Sequence, residues 1–343
     1  MRLTVFQRYR RKSLGALQPD GRIVDLQAAA AAWLSQVRRD PFWERETELR
    51  LPPDVGQYLA GGGPSRELAA RALDHAHGAP DGRGIGGEPL FRAADEVTLL
   101  APLLAPLVIS TGAVFRDGPR PDAAERRQHR EFFLRDPFNL RPPGEAMALP
   151  GWLSVEFDAA PRLAVVIGSA LRCATLAQAE AAIFGYLPAI EVCARDNEIL
   201  SWAGALFHIQ YPHSRAFDGA LAIGPAVVSK DEVGPVAGRK ARLRVDGVTA
   251  YAGPLPGRWD ELAAWICRLS ESVTLKPGTL LIPGSADDVS IQPARTGNLP
   301  VELVRAERAA AARVSPGQRV AIDIDGVGGF ESQVIAAPRD RES

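Results

Sequence analysis

The chain has 343 residues, of which 46% are apolar and 24% charged, and a formal net charge of −1. This composition excludes an intrinsically disordered chain, a fibrous repeat and a membrane protein, and the length predicts one large domain with a smaller one attached. With 40 Lys and Arg against 41 Asp and Glu, the chain lacks the basic excess of a phosphate-tracking nucleic-acid binder.

In chain order, 3–6, 14–17 and 22–26 read as three strands of a β-meander, with Pro19-Asp20-Gly21 as the tight turn before the last. The Ala-rich run at 26–37 and the stretch 65–77 read as helices, with Gly61-Gly62-Gly63 and 78–87 as loops. These glycine clusters have neither the Gly-Lys-Ser/Thr of a phosphate loop nor the strand-to-helix context of a dinucleotide site. From Thr98 onward, short apolar runs between Pro and Gly predict strands at 107–110, 138–140, 163–167, 221–229, 241–245, 279–282 and 319–324. Helices are expected at 176–184 and 258–269, the second ending before a Ser270-Glu271-Ser272 loop. The expected organisation is a small N-terminal domain at 1–97, a pocket-bearing domain at 98–337 and a tail at 338–343.

Cys173, Cys193 and Cys267 are odd in number and form no Cys-x-x-Cys pair, which argues against a disulfide framework or structural zinc and predicts buried thiols in a reducing compartment. The opening MRLTVFQRYRRK carries charges where a signal peptide needs an apolar stretch. The longest apolar run, 97–109, is broken by Pro102 and Pro106. A cytoplasmic protein with no membrane partner is therefore expected.

Several segments then line up in one order: Leu163-Ala-Val-Val-Ile-Gly168, Phe184-Gly-Tyr186, Glu191-Val-Cys-Ala-Arg-Asp196, Arg215-Ala-Phe-Asp218, Ile223-Gly-Pro225 and Thr274-Leu-Lys-Pro-Gly278, preceded by Phe138-Asn-Leu-Arg-Pro-Pro143. As an ordered set they resemble the fumarylacetoacetate hydrolase family. The resemblance implies an α+β fold, a mixed β-sheet roll or sandwich behind a small β-rich N-terminal domain, usually as a homodimer. It implies cleavage or rearrangement of small acidic keto or enol compounds around Mg²⁺ or a similar hard cation, which chelates two substrate oxygens and stabilises the enolate left behind.

Against that pattern the chain departs at the metal. The family's Glu-x-Glu pair falls on Ala160 and Arg162, and its Asp on Glu191. A guanidinium cannot be deprotonated in a protein, and at contact distance it would repel a dication by about 8 kcal/mol at an effective dielectric of 20. Glu156 and Asp158 alternate with Ala160 and Arg162 on one strand face, but moving a ligand from 160 to 156 displaces it by roughly 13 Å. The family's histidine segment corresponds to Gly112–Gly118 with no histidine; if 118–121 is an insertion, Asp122 takes the base position, and His129 follows close downstream.

The residues expected to do chemistry are Glu191, Asp122 and His129, with Arg162, Arg195, Arg215, Phe115 and Tyr186 binding the ligand and no metal or other cofactor. Three functions remain open at this point. The first is a metal-independent isomerase, decarboxylase, cyclase or carbon–carbon hydrolase whose arginines hold the anion. The second is a non-catalytic member that binds a ligand or a partner subunit, and the third a metal-dependent acylpyruvate-type hydrolase built on Glu156 and Asp158.

Overall fold

The computed structural model describes residues 1–104, 106–111, 132–197, 199–202, 206–209, 211–257, 259–283, 292–294, 302–304 and 311–339. The fold is mixed α+β, as the resemblance implied. Its centre is a long antiparallel hairpin, Phe157–Ile167 against Ile183–Ala194, with Ala160 opposite Glu191 and Arg162 opposite Ala189. Both strands are buried on both faces, and their alternation divides the interior in two. Leu163, Val165 and Ile167 join Ile190, Val192 and Ala194 in one core; Ala164 and Val166 join Leu187 and Ala189 in the other.

The first core is closed by the amphipathic helix Leu262–Ser272, through Leu262, Trp265, Ile266 and Leu269, and by a five-stranded sheet that contributes Leu243, Val320, Ile322 and Val334. The second is closed by the N-terminal third of the chain. Strands Arg2–Arg8, Arg11–Leu17 and Ile23–Asp25 form the expected meander, which joins the large sheet where Arg2–Thr4 pairs with Ala226–Val228. Helices Leu26–Ala32 and Gly62–Gly78 cover that face with small side chains, Ala29, Ala30, Ala69 and Ala72, so helix and sheet approach closely. The far edge of the large sheet is Leu280–Ile282, Val108–Thr111 and Phe132–Arg135, in that order.

Several expected boundaries shift for local reasons. Gly62 and Gly63 lie inside a helix rather than a loop: Pro64 suits a first turn, where its missing N–H costs nothing, and Gly62 takes φ +65° to turn the corner from the helix Val55–Ala60. That helix and Trp43–Arg50 have no counterpart in the expected elements, although Asp54 caps the former by accepting from the Gln57 N–H. The 138–140 strand is instead a 3₁₀ turn, Pro137–Asn139, capped by Asp136, followed by the two-residue strand Leu140–Arg141. Gly224-Pro225 splits 221–229 into Leu221–Ile223 and Ala226–Ser229, since proline has no N–H for a ladder. The helix expected at 176–184 stops at Ala181, and Ile183 and Phe184 open a strand that suits their β-branched and aromatic side chains. The last long helix runs through Ser270–Ser272, with the buried Ser270 hydroxyl donating to the Cys267 carbonyl at 2.6 Å and accepting from the Ala174 N–H at 2.9 Å.

The close pairing of the central hairpin with Ala226–Ser229 leaves no room at Gly185, where an added methyl would sit 2.1 Å from the Val228 carbonyl oxygen. Gly63→Ala meets nothing within 4 Å. We expect Gly185→Ala to cost at least ~2–3 kcal/mol in urea unfolding and Gly63→Ala to cost nothing. Equal midpoints for the two variants would contradict this packing.

Candidate functional site

Arg162 and Glu191 lie diagonally on neighbouring strands, both on the face that carries Ala164, Val166, Leu187 and Ala189. Ala160, directly opposite Glu191, leaves space above the carboxylate that the longer Arg162 side chain fills from one side. Arg162 donates from Nε to Glu191 Oε2 at 2.8 Å and contacts the same oxygen through Nη2 at 2.7 Å. Arg215, at the end of the short helix Tyr211–Arg215, brings Nη1 to 3.5 Å from Oε2.

A third guanidinium reaches the other oxygen. Arg135, the last residue of the edge strand Phe132–Arg135, donates from Nη2 to Glu191 Oε1 and from Nη1 to the Arg215 carbonyl, and its Nε donates to Ser110 Oγ at 2.7 Å. Exposure is 3% for Arg135, 4% for Arg162, 2% for Glu191 and 0% for Arg215, so the cluster lies inside the protein. Burial pushes the Arg135 pKa down to about 10; Glu191 opposes that shift, while Arg215 and Arg162 add to it. The group still carries its proton at pH 7. Each cation–carboxylate contact is worth about 4–5 kcal/mol at an effective dielectric of 20, set against a desolvation cost of several kcal/mol per ion. The cluster therefore depends on its carboxylate.

The structure brings Arg162 and Arg215 to Glu191 and sets Arg195 and Tyr186 apart from it. Arg195 lies at the end of the hairpin, where its Nε pairs with Asp158 Oδ2 at 2.6 Å. Tyr186 stands on the opposite face, in the core with Val165 and Ile190, its hydroxyl pushed up to about 12 by burial. It is five residues from Glu191, and an odd separation on a regular strand means opposite faces. Phe115, Asp122 and His129 lie outside the described residues. Arg135 and Ser110 were not among the expected residues. The signal for Arg135 is the alternation of Phe132 to Arg135, which buries Phe133 and Arg135 and exposes Phe132 and Leu134.

As for a divalent cation, both oxygens of Glu191 already accept from guanidinium groups. Asp158 is engaged by Arg195, and Glu156 lies 3.3 Å from Arg313. Among the described residues no three acidic, histidine or cysteine side chains gather as metal ligands, so the described part of this site does not fit a hard dication.

The description "Fumarylacetoacetate (FAA) hydrolase C-terminal" matches residues 111–335. The oxaloacetate tautomerase FAHD2A of Homo sapiens is 27% identical over 245 residues, covering 70% of this chain and 71% of its own. The oxaloacetate tautomerase YisK of Bacillus subtilis is 24% identical over 341 residues, 97% of this chain and 100% of its own. Among solved structures, maleylpyruvate hydrolase from Sphingobium sp. SYK-6 in complex with manganese (II) ion and pyruvate has a TM-score of 0.65 at 20% identity, over 98% of this chain and 100% of that one. That complex corrects the expectation of no metal cofactor, because a protein of this fold holds manganese. The expectation rested on the family ligand positions at Ala160, Arg162 and Glu191 and on the neighbouring Glu156 and Asp158, whereas a fold can draw ligands from other segments. No helix among the described residues is long and apolar enough to cross a membrane.

Glu191→Gln removes the charge on which the buried guanidiniums converge and is expected to lower the unfolding free energy by about 3–5 kcal/mol. Arg162→Met leaves Glu191 held by Arg135 and Arg215 and is expected to cost distinctly less. Urea titrations of both variants check the order; an unchanged midpoint for Glu191→Gln would show that the carboxylate is not the organising charge.

Proposed function

Because the chain belongs to the fumarylacetoacetate hydrolase family, matched across residues 111–335, we propose that it is an enzyme acting on small acidic keto compounds, and that its reaction is the keto–enol tautomerisation of a 2-oxo diacid of the oxaloacetate type. Relatives named as oxaloacetate tautomerases, from human and from Bacillus subtilis, support the reaction class. The observation that carries the reading is the convergence of Arg135, Arg162 and Arg215 on Glu191 at the centre of the fold.

Tautomerisation moves a proton between carbon and oxygen through an enolate, so the enzyme must hold a carboxylate, favour negative charge on the carbonyl oxygen, and supply one group that takes and returns the proton. Fixed guanidinium groups supply the first two requirements. They stay charged at every working pH, and their planar forks match carboxylate and enolate oxygens. Glu191 is the poorer proton acceptor because both of its oxygens accept from arginines, and its part is to orient Arg135, Arg162 and Arg215. Proton transfer is assigned to Asp122 or His129, a carboxylate or an imidazole that can carry it near neutral pH once its surroundings adjust its pKa. A homodimer is proposed along with the activity on the family resemblance, and light scattering decides it.

The test uses the purified full chain, the enol form of oxaloacetate and absorbance to follow its loss, after chelator treatment and again with Mn²⁺ or Mg²⁺ added. The expected result is acceleration over buffer without release of pyruvate, and an Arg162→Met variant at least about 100-fold lower in kcat/KM, equivalent to about 2.7 kcal/mol. Release of pyruvate from an acylpyruvate would make the chain a hydrolase instead. Ligand-induced thermal stabilisation with no turnover under any metal condition would support a binding protein.

A further inference from the structure

The hairpin that opens the chain ends in Arg8-Tyr9-Arg10-Arg11-Lys12. Its last register pair is Arg8 with Arg11, so Tyr9 and Arg10 form a two-residue turn. Two features of this tip work against local stability, a strained backbone and opposed like charges, and a third leaves a large ring in water with only a cation–π contact to hold it. Tyr9 has φ +55°, a left-handed conformation that two-residue turns normally assign to Gly or Asn. Its ring is 85% exposed, with the Arg8 guanidinium 5.2 Å from the ring centroid. Arg8 and Arg11 place like charges directly opposite each other across the ribbon, an arrangement that destabilises a β-pair. Arg10, Arg11 and Lys12 are exposed; among the described residues Arg11 acts on the buried carboxyl of Asp25, and no carboxylate lies within ion-pair distance of Arg8, Arg10 or Lys12. Strained backbone, an exposed aromatic ring and opposed cations at one convex point are the mark of a surface kept for a partner.

We propose that this tip docks into an acidic pocket on another protein, with Tyr9 as the anchor and Arg10, Arg11 and Lys12 paired to the pocket's carboxylates. Tyrosine and arginine are the residue types that carry binding energy at protein interfaces. Uniform polyanions fit less well. The strand register Gln7 to Thr98 sets the exposed turn Ala94–Glu96 beside the tip, so Asp95 and Glu96 would face a flat anionic bilayer or a phosphate chain pressed against it.

The experiment installs a photo-crosslinker in the full chain as Tyr9→p-benzoylphenylalanine and irradiates it in extract of the source cell. The expected result is one discrete adduct with a different protein, mapped by mass spectrometry to a carboxylate-rich segment, and reduced at least tenfold when Arg10→Glu and Arg11→Glu are added. Several results overturn the proposal: no discrete adduct, a yield that ignores the charge reversal, or an adduct with nucleic acid, lipid or a second copy of this chain. A second measurement needs no partner. Tyr9→Gly and Arg11→Thr are expected to leave the thermal midpoint unchanged or raise it by a few degrees, and a lower midpoint would show that the tip serves the fold and would equally overturn the proposal.

Discussion

A carboxylate held among guanidinium groups at the centre of a two-faced hairpin is the interaction on which this structure depends. Glu191 belongs to one strand of that hairpin, Arg162 to the other, Arg135 to the far edge of the sheet and Arg215 to a short helix. Four stretches of chain, distant in sequence, are tied to one side chain. Arg135 extends the tie by donating to the Arg215 carbonyl and to Ser110, so the edge strand cannot shift without disturbing the centre. A buried ionic cluster of this kind adds little net stability over an apolar packing of equal volume. Its effect is to make the arrangement unique, because any misplaced member leaves a charge without its counterpart.

The same geometry explains what could be read in advance. Alternation along 157–167 and 183–194 fixes which residues share a face, so the meeting of Arg162 with Glu191 was legible once the two strands were placed side by side. Alternation also puts Tyr186 on the other face, a point the motif-based reading passed over because it weighed motif membership ahead of parity. The meander and most strands of the second half were legible from their apolar runs. The helices Trp43–Arg50 and Val55–Ala60 were not, because the first has no apolar stripe and the second is too short for its stripe of Val55, Tyr58 and Leu59 to give a clear periodic signal. Arg135 was the largest omission. Its burial depends on the pairing of Phe132–Arg135 with Val108–Thr111, a long-range contact to which a four-residue run gives only a faint clue.

The exchange of residues around Glu191 is internally consistent as chemistry. An acid at 160 would stand opposite Glu191, and two adjacent buried carboxylates call for a cation between them. With alanine there and arginine at 162, that pairing of carboxylates is absent, and each oxygen of Glu191 accepts from an arginine. In the manganese and pyruvate complex of the Sphingobium protein a metal is present in the same fold. The two proteins thus share a framework, while this chain differs at positions where the family resemblance places its metal ligands.

Arginine is used in two opposite ways in this chain, and the contrast shows what each use requires. At the centre, Arg135, Arg162 and Arg215 are almost wholly removed from water, and each contacts Glu191. Their long side chains lose rotamer freedom there, a cost of about 2 kcal/mol each that the surrounding sheet has to offset. At the first hairpin's tip, Arg10 and Arg11 keep both hydration and freedom, so the folded chain gains almost nothing from them. A guanidinium that is ordered without a counter-charge would be costly in the first setting, and one that is exposed beside another is mildly costly in the second. The central arginines are thus held by the fold that encloses them, whereas Arg10 at the tip has no such enclosure.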